Sequence, residues 1–504
     1  MIKSNIVVEL QSLGLRINRE ILARRGGAGP AEGATIVIDG RPLTVPLGGA
    51  FVRNSPFFIG EEEGQFVLLK NEAKIGTVEL VNPPRFYLGR TADGIAYNKI
   101  ALLHGRDCLA STVIQTCANW PTGKRCRFCG IELTLSAGQT LPVKTPAQLA
   151  EVALEAQKLD GIRHVVLTTG ASERPDHEIR ILAACIRAVK EATHLPVHAQ
   201  LLPPDDPERL WELKEADLDT VGIHIESFDF EILSKAAPHK STLGLEAYVA
   251  SWKKAVEIFG PNQVSSFLIA GLGEKGDSII KGSGLLADLG VYPFLVPLRP
   301  IPGSLMEQER PPDPALMIGL YGEVAEILKR KRLHSGRSLA GCVRCGACSA
   351  LPFFEHPEEA LICHPAQGQQ DLDRVFEIRR QVFVGEQKIV QASDRDAEDL
   401  KSTHLVARLK DRVIGTVRVF AAGSNGHWVG GRLAVEKEHR RGGAGELLVR
   451  EAVRYVKKQG CSHFTAHIQA ENVPFFLRLG WKPIGPLEDF HGRPHQLMEA
   501  DLGD

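Results

Sequence analysis

From about residue 108 the chain alternates short runs rich in β-branched residues with amphipathic segments. The runs CLASTVIQTC, HVVLTTG, LPVHAQLLP, TVGIHIESF, QVSSFLIAGLGE and VYPFLVPLRP read as strands, and PAQLAEVALEAQKLDG, HEIRILAACIRAVKEAT, DPERLWELKEADLD and LEAYVASWKKAVEIFG as helices between them. Strands buried on both faces and separated by helices require a parallel sheet with right-handed crossovers. Six such units are too few for a closed eight-stranded barrel. The expected fold is therefore α/β, an open, partial (β/α)6 barrel over residues 101–335, with its chemistry at the C-terminal ends of the strands.

The flanking segments follow other patterns. Residues 1–100 alternate short apolar runs with glycine-rich turns (IVIDGRPLTVPLGGAFV, QFVLLKNEAKIGTVELV), a small β-rich accessory unit without an interpretable motif. A proline-rich break, IPGSLMEQERPPDP, precedes the helix ALMIGLYGEVAEILKRKRL, whose KRKR at 329–332 reads as a solvated helix end suited to the dipole. Residues 336–360 form a cysteine-rich linker. Over 361–504 a helix (DLDRVFEIRRQVF) and period-2 strands (HLVARLK, VIGTVRVF, GGRLAV) lead to RRGGAG, which opens the helix ELLVREAVRYVKKQG. This pattern predicts an antiparallel α/β domain with an anion site at the helix start.

At 504 residues the chain exceeds one core, and a prior of roughly 150 residues per domain gives three or so units. Hydrophobic content of 43% with 24% charged residues argues against disorder, and a net charge of −1 exerts no bulk pull on nucleic acid or anionic lipid. No run of about 18 apolar residues occurs, and the N-terminus lacks a signal-peptide pattern. A cytoplasmic protein with no membrane partner is expected. Its ten cysteines should then be reduced, so tight clusters of them read as metal ligands.

The stretch 117-CANWPTGKRCRFCG-130 holds Cys117, Cys126 and Cys129 after the first barrel strand. A structural zinc needs four protein ligands, and the fourth is not nearby. A cubane 4Fe-4S cluster on three thiolates instead keeps one iron open for a ligand. With Phe128 before the last cysteine, the segment resembles the radical S-adenosylmethionine (SAM) superfamily, although its Cys-x8-Cys-x2-Cys spacing exceeds the usual Cys-x3-Cys-x2-Cys by five residues. VVLTTGASE resembles the second-strand motif at the cofactor's amino group, which implies Thr169 and Gly170. FLIAGLGE resembles the fifth-strand GxIxGxxE region, carrying Ile269, Gly271 and Glu274. VGIHIES offers Glu226 for the ribose, and PLRPIPGS resembles the segment beside the adenine. The resemblance implies a 4Fe-4S cluster and SAM as cofactors, reductive cleavage of the sulfonium, hydrogen abstraction by a deoxyadenosyl radical, and an electron donor such as flavodoxin or ferredoxin.

A second group, GCVRCGACSALPFFE, gives Cys342, Cys345 and Cys348, a ferredoxin-like opening without its usual fourth Cys-Pro. Cys363 could complete the set or be a strand core thiol of the next domain. Both a second iron-sulfur cluster and a zinc fit, the spacing leaning toward the cluster. Cys108, Cys185 and Cys461 sit in apolar contexts and read as inert core thiols.

GGRLAVEKEHRRGGAGELLVREA resembles the acetyl-CoA motif of GNAT N-acyltransferases. That resemblance implies an acyl-CoA pyrophosphate on Arg440, Arg441, Gly442, Gly443, Ala444 and Gly445. In IQAENVPFFLRLGW, Phe476 stands where the family usually has the tyrosine that protonates the departing thiolate. The front segment IRRQVFVGEQ…DRDAEDLKSTHLV resembles an acceptor-site loop, with Glu386, Asp396, Asp399 and His404 as candidates for acceptor binding or base chemistry. Each of these alone is more often a surface charge or a cap.

The catalytic subunit of Elongator also joins these modules around a cysteine site and acts on tRNA, but its GNAT signatures are not found here, and the near-neutral charge does not favour tRNA. The chain more closely resembles the radical SAM proteins encoded with a nitrilase in nitrogen-metabolism gene clusters, fused to a GNAT of the nitrogen-starvation type. That resemblance covers residues from about 100 onward and implies a small nitrogen-containing substrate. A third possibility is a scaffold that binds CoA without turning it over.

Overall fold

The computed structural model describes residues 2–17, 33–62, 64–172, 175–355, 361–409, 412–423, 426–440, 443–490 and 492–502. The chain divides into two compact units, Met1–Glu355 and His356–Asp504. Among the described residues, no helix is long and apolar enough to cross a membrane.

The first unit is built on six parallel strands, β1 (Cys108–Ile114), β2 (His164–Thr169), β3 (Val197–Leu201), β4 (Thr220–Ile223), β5 (Val264–Ala270) and β6 (Tyr292–Pro297), ordered by sequence across the sheet. Leu102–His104 adds an antiparallel edge beside β1. The strands are buried along most of their length, as their β-branched runs require. Local signals set the helix limits. Pro146–Asp160 begins in a capping box between Thr145 and Gln148 and ends at Gly161 in the left-handed region (φ 62°). In Pro314–Lys331 the basic run closes the last turn, and Lys331 pairs with Asp288 at 2.5 Å.

The first hundred residues are not a separate unit. Leu10, Ile36, Val45 and Phe57 belong to the same apolar core as Leu109, Val113 and Leu167 of the barrel. The cysteine-rich segment is likewise integral: the short helix Gly341–Cys345 packs against β2, β3, β4 and β6. It meets the starts of these strands, where Gly341 N–H donates to His164 of β2 and the Thr220 hydroxyl of β4 donates to the Ala340 carbonyl.

The second unit is a seven-stranded sheet ordered Leu361–Pro365, Thr403–Leu409, Arg412–Ala421, His427–Val435, His463–Gln469, Arg493–Ala500 and Trp481–Phe490. Its strands are antiparallel except His427–Val435 and His463–Gln469, whose parallel ladder runs only over His427–Gly430 and His463–Ala466. The helix Gly368–Arg379 continues into a π-helical turn, Arg380–Glu386, and Ala444–Lys458 covers the sheet.

Candidate functional site

A cavity of about 460 Å3 opens at the C-terminal ends of the barrel strands, and Cys117, Cys126 and Cys129 all line it. The five extra residues of the motif are absorbed in a turn. Trp120 N–H donates to the Cys117 carbonyl at 2.9 Å, and the Arg125 guanidinium lies 4.5 Å over the Trp120 ring. The chain then returns through Arg127, whose N–H donates to the Ala236 carbonyl at 2.8 Å, and Cys129 closes a turn on Cys126. Cys117 is held from the other side by the Glu132 carboxylate, which accepts its N–H at 2.8 Å.

Thr169, Gly170, Glu226 and Ile269 line the same cavity. Gly170 admits no side chain, because a Cβ there would lie 2.0 Å from the Thr116 carbonyl oxygen, beside Cys117. Thr169 donates from its hydroxyl to Glu178 at 3.4 Å. Gly271 (φ 102°) and Glu274 stand just past β5, outside the lining. One Glu274 oxygen accepts from Gly271 N–H at 3.3 Å, and burial raises its carboxyl.

Glu226 sits in the left-handed region (φ 73°), a conformation non-glycine residues adopt mainly where the surroundings enforce it. One of its oxygens pairs with Lys240 Nζ at 2.6 Å, and the other is buried without a partner. Lys240 also donates to the His224 carbonyl at 2.8 Å. Burial alone would lower this ammonium, but Glu226 outweighs it and holds the pKa above that of an ordinary lysine. Burial pushes the Cys126 thiol up to about 12, while Lys240 pulls it the other way.

Three cavity features carry no sequence signal. Lys240 enters on a short helix, Pro238–Thr242, whose composition says nothing of the thiols. His224, stacked on Phe267 with centroids 4.3 Å apart, leaves Nε2 without a partner. Phe51 and Pro46 close one wall, so the N-terminal residues help build the site.

In the second cysteine group the structure redistributes the sulfurs. Cys363 lies on the edge strand of the second unit, packed against that unit's own core, where burial pushes it up to about 12 with Glu451 and Arg454 as its charged neighbours. Cys108, expected as an inert core thiol, has the Cys345 and Cys342 thiols as neighbours, and burial first, then these thiols, raise its pKa.

In the second unit, Gly443 (φ 82°) caps the helix Ala444–Lys458, and Gly445 faces Phe475, whose ring would stand 3.7 Å from a Cβ there. Arg441 and Gly442 lie outside the described residues. Arg440 donates to Glu386 at 2.5 Å and to the Val435 carbonyl at 3.0 Å, so Glu386 supports the glycine loop. Phe476 is a core residue, edge-on to Trp481 at 5.3 Å.

The predicted acceptor carboxylates are committed to arginines. Fully buried Arg379 donates to Asp394 at 2.7 Å and to Asp399 at 2.6 and 3.0 Å. Arg418 reaches Asp399 at 2.8 Å and Asp396 at 2.5 and 2.9 Å. Burial alone would raise Asp399, but the hydrogen bonds from Arg379 and Arg418 prevail and hold it far below the usual carboxylate range. Its oxygens are thus poor proton acceptors. His404 lies 3.7 Å from Asp399 with both ring nitrogens unpartnered, and burial followed by Arg379 lowers its pKa, leaving a neutral imidazole.

A pH dependence follows from Asp399. Its folded pKa is depressed, so its stabilisation is complete above the unfolded value near about 3.9 and is lost as pH falls through and below it. Hydrogen exchange of peptides from 361–504 should therefore accelerate as pH drops from 5 toward 3, after correction for intrinsic rates. Asp399→Ala should lose about 1–3 kcal/mol of protection at pH 7, because Arg379 keeps only Asp394 and Arg418 only Asp396 while the freed N–H groups lose their acceptor. An unchanged exchange profile would rule out this role.

Residues 123–281 match the radical SAM superfamily, and residues 372–481 match the acetyltransferase (GNAT) family. The chain is 25% identical over 258 residues to the bacteriochlorophyllide c C-7(1)-hydroxylase of Chlorobaculum limnaeum, which covers 47% of this chain and 64% of that protein's length. A Bacillus subtilis (strain 168) protein named as an acetyltransferase is 34% identical over 133 residues, 26% of this chain and 89% of that protein. Among solved structures, Escherichia coli ElaA covers 28% of this chain and 100% of its own at 20% identity and a TM-score of 0.26. The chain is thus an enzyme that carries a radical SAM domain and, in the same polypeptide, a domain that places it in the GNAT acetyltransferase family.

Proposed function

We propose that the first unit uses SAM and a 4Fe-4S cluster held by Cys117, Cys126 and Cys129 to attack a C–H bond of a small nitrogen-containing metabolite. The observation that carries this reading is that Cys117, Cys126 and Cys129 line one cavity together with Glu226 and Lys240. When bound, the cluster and SAM supply a carbon radical that takes a hydrogen atom. The chain's own residues do the positioning. The unpartnered oxygen of Glu226 can accept from a ribose hydroxyl, and Gly170 lets the backbone approach closely. Phe267, Ile269 and Val296 keep water from the reacting carbon. A cavity of about 460 Å3 lies within the roughly 300–1,000 Å3 of small-molecule sites, which favours a metabolite over tRNA. The Chlorobaculum relative is named a hydroxylase, and hydroxylation replaces a C–H bond.

The second unit would take an acyl-CoA on the loop before Ala444 and pass its acyl group to an amine. His404, a neutral imidazole with neither ring nitrogen hydrogen-bonded, offers one nitrogen that can accept a proton. With Phe476 in the core, the thiolate must take its proton from another source. The cysteine-rich segment is read as a second metal centre, and a flavodoxin or ferredoxin as the electron donor.

The test is mass spectrometry of an anaerobic, dithionite-reduced reaction, first for 5′-deoxyadenosine and then for a nitrogenous metabolite whose mass changes. Thiol release from acetyl-CoA with a panel of amines tests the second unit. If no amine releases thiol while CoA still binds, the CoA-binding scaffold replaces the acyltransferase.

A further inference from the structure

We propose that Cys108, Cys342, Cys345 and Cys348 form one closed, four-thiolate iron-sulfur site inside the barrel, with Cys108 rather than Cys363 as its fourth ligand. The inference rests on reading the cysteine-rich segment as a metal centre and identifies its ligands and its place.

The placement comes first. Helix Gly341–Cys345 packs on β2, β3, β4 and β6 of the barrel sheet. Its first N–H, on Gly341, donates to His164 Nδ1 at 3.2 Å. Gly341 (φ 92°) has no room for a side chain, since a Cβ would fall 2.6 Å from the His198 ring. Beyond the helix, the Ala347 carbonyl accepts from Thr44 N–H at 2.7 Å, and the Ser349 hydroxyl donates to the Leu295 carbonyl at 2.5 Å. The segment is tied to four parts of the unit, so its sulfurs have fixed positions.

The sulfurs then converge. Cys108 is the first residue of β1, and the Cys345 and Cys342 thiols are its neighbours. At Gly105, on the turn into β1, a Cβ would sit 2.6 Å from Cys345 Sγ, so the glycine leaves space for that sulfur. Cys342 Sγ accepts from Gln200 Nε2 at 3.3 Å, the kind of donor contact that tunes a metal-bound sulfur. Cys348 lines the same cavity as Cys117, Cys126 and Cys129. All four thiols are free of disulfides.

Spacing separates the metals. Tetrahedral zinc, with Zn–S near 2.3 Å, draws its sulfurs to about 3.8 Å from one another. Among the described residues, no three of these sulfurs all lie within 4.8 Å of one another. A cubane, whose thiolates bind separate irons, accepts the wider separation. With four protein ligands this centre has no open iron, so it can exchange electrons but cannot hold a substrate. The contrast with the three-thiolate site on the same cavity assigns the two groups different tasks.

The test uses the full chain with Cys117, Cys126 and Cys129 all replaced by alanine, so it does not depend on SAM cleavage. After anaerobic reconstitution with 57Fe and sulfide, this variant should retain about four irons per chain with a cubane Mössbauer signature. Adding Cys108→Ser or Cys345→Ser should lower the iron at least tenfold, whereas adding Cys363→Ser or Cys185→Ser should leave it unchanged. Zinc in place of iron, full iron with Cys108→Ser, or iron lost with Cys363→Ser would each overturn the proposal. If Cys108→Ser is insoluble, differential alkylation of the parent variant decides. Cys108 and Cys345 should gain label together on iron chelation, and iron-independent labelling of Cys108 overturns the assignment.

Discussion

Replacement of Cys129 by alanine is expected to abolish 5′-deoxyadenosine formation while leaving thiol release from acetyl-CoA unchanged. The first effect follows from ligand count. A cluster on Cys117, Cys126 and Cys129 has no spare ligand among them, and Cys348, the other thiol on the lining, belongs to the second cysteine group. Second-shell changes at metal sites cost about 10–100-fold, so loss of a first ligand should exceed about 100-fold. The second effect follows from the division of the chain, since residues 372–481 belong to the other unit. Deoxyadenosine is measured by mass spectrometry and thiol release by a colorimetric assay on the same preparation. Cys461→Ala, which removes a thiol of the second unit, is the control. Parent-level deoxyadenosine from the Cys129 variant would mean that these sulfurs hold no catalytic cluster.

Much of this architecture is legible because its signals are local. The six strands announce themselves as β-branched runs, and Thr145, Gln148 and Gly161 mark a helix with residues at its own ends. Cys126 and Cys129 are neighbours in sequence and share a turn. What the sequence conceals is long-range. Cys108 and Cys345 are brought together by the packing of a short helix on a parallel sheet, and nothing in the spacing of either reports the other. Cys363 stands nearer to Cys348 in sequence, yet its strand packs on the second unit's own core. Lys240 reaches the thiols from a five-residue helix that no periodicity reveals. The acidic loop shows the same limit. Asp396 and Asp399 resemble exposed ligands for an acceptor until Arg379 and Arg418 are seen to occupy them. The N-terminal residues carry no motif because their contribution is shape: Phe51 and Pro46 wall the cavity with apolar surface.

Glu226→Ala is expected to destabilise the first unit by about 3–5 kcal/mol, the usual loss when one partner of a buried ion pair is removed. Both side chains are almost fully enclosed, and Glu226 is the carboxylate paired with Lys240 Nζ among the described residues. Without it the ammonium faces the His224 carbonyl alone, in a site that opposes charge. The double variant Glu226→Ala/Lys240→Met should recover most of the loss, because it removes the stranded charge as well. Function should respond differently. The second Glu226 oxygen is buried and unpaired in the cavity wall, so its absence should raise the KM for SAM in both the single and the double variant. Urea unfolding followed by hydrogen exchange in peptides from β4 and β5 reads the stability, and deoxyadenosine formed at graded SAM reads the affinity. Stability restored with KM still raised would separate the two oxygens of one carboxylate, one holding Lys240 and the other the cosubstrate. A Glu226→Ala protein within 1 kcal/mol of the parent would show that Lys240 does not need this partner.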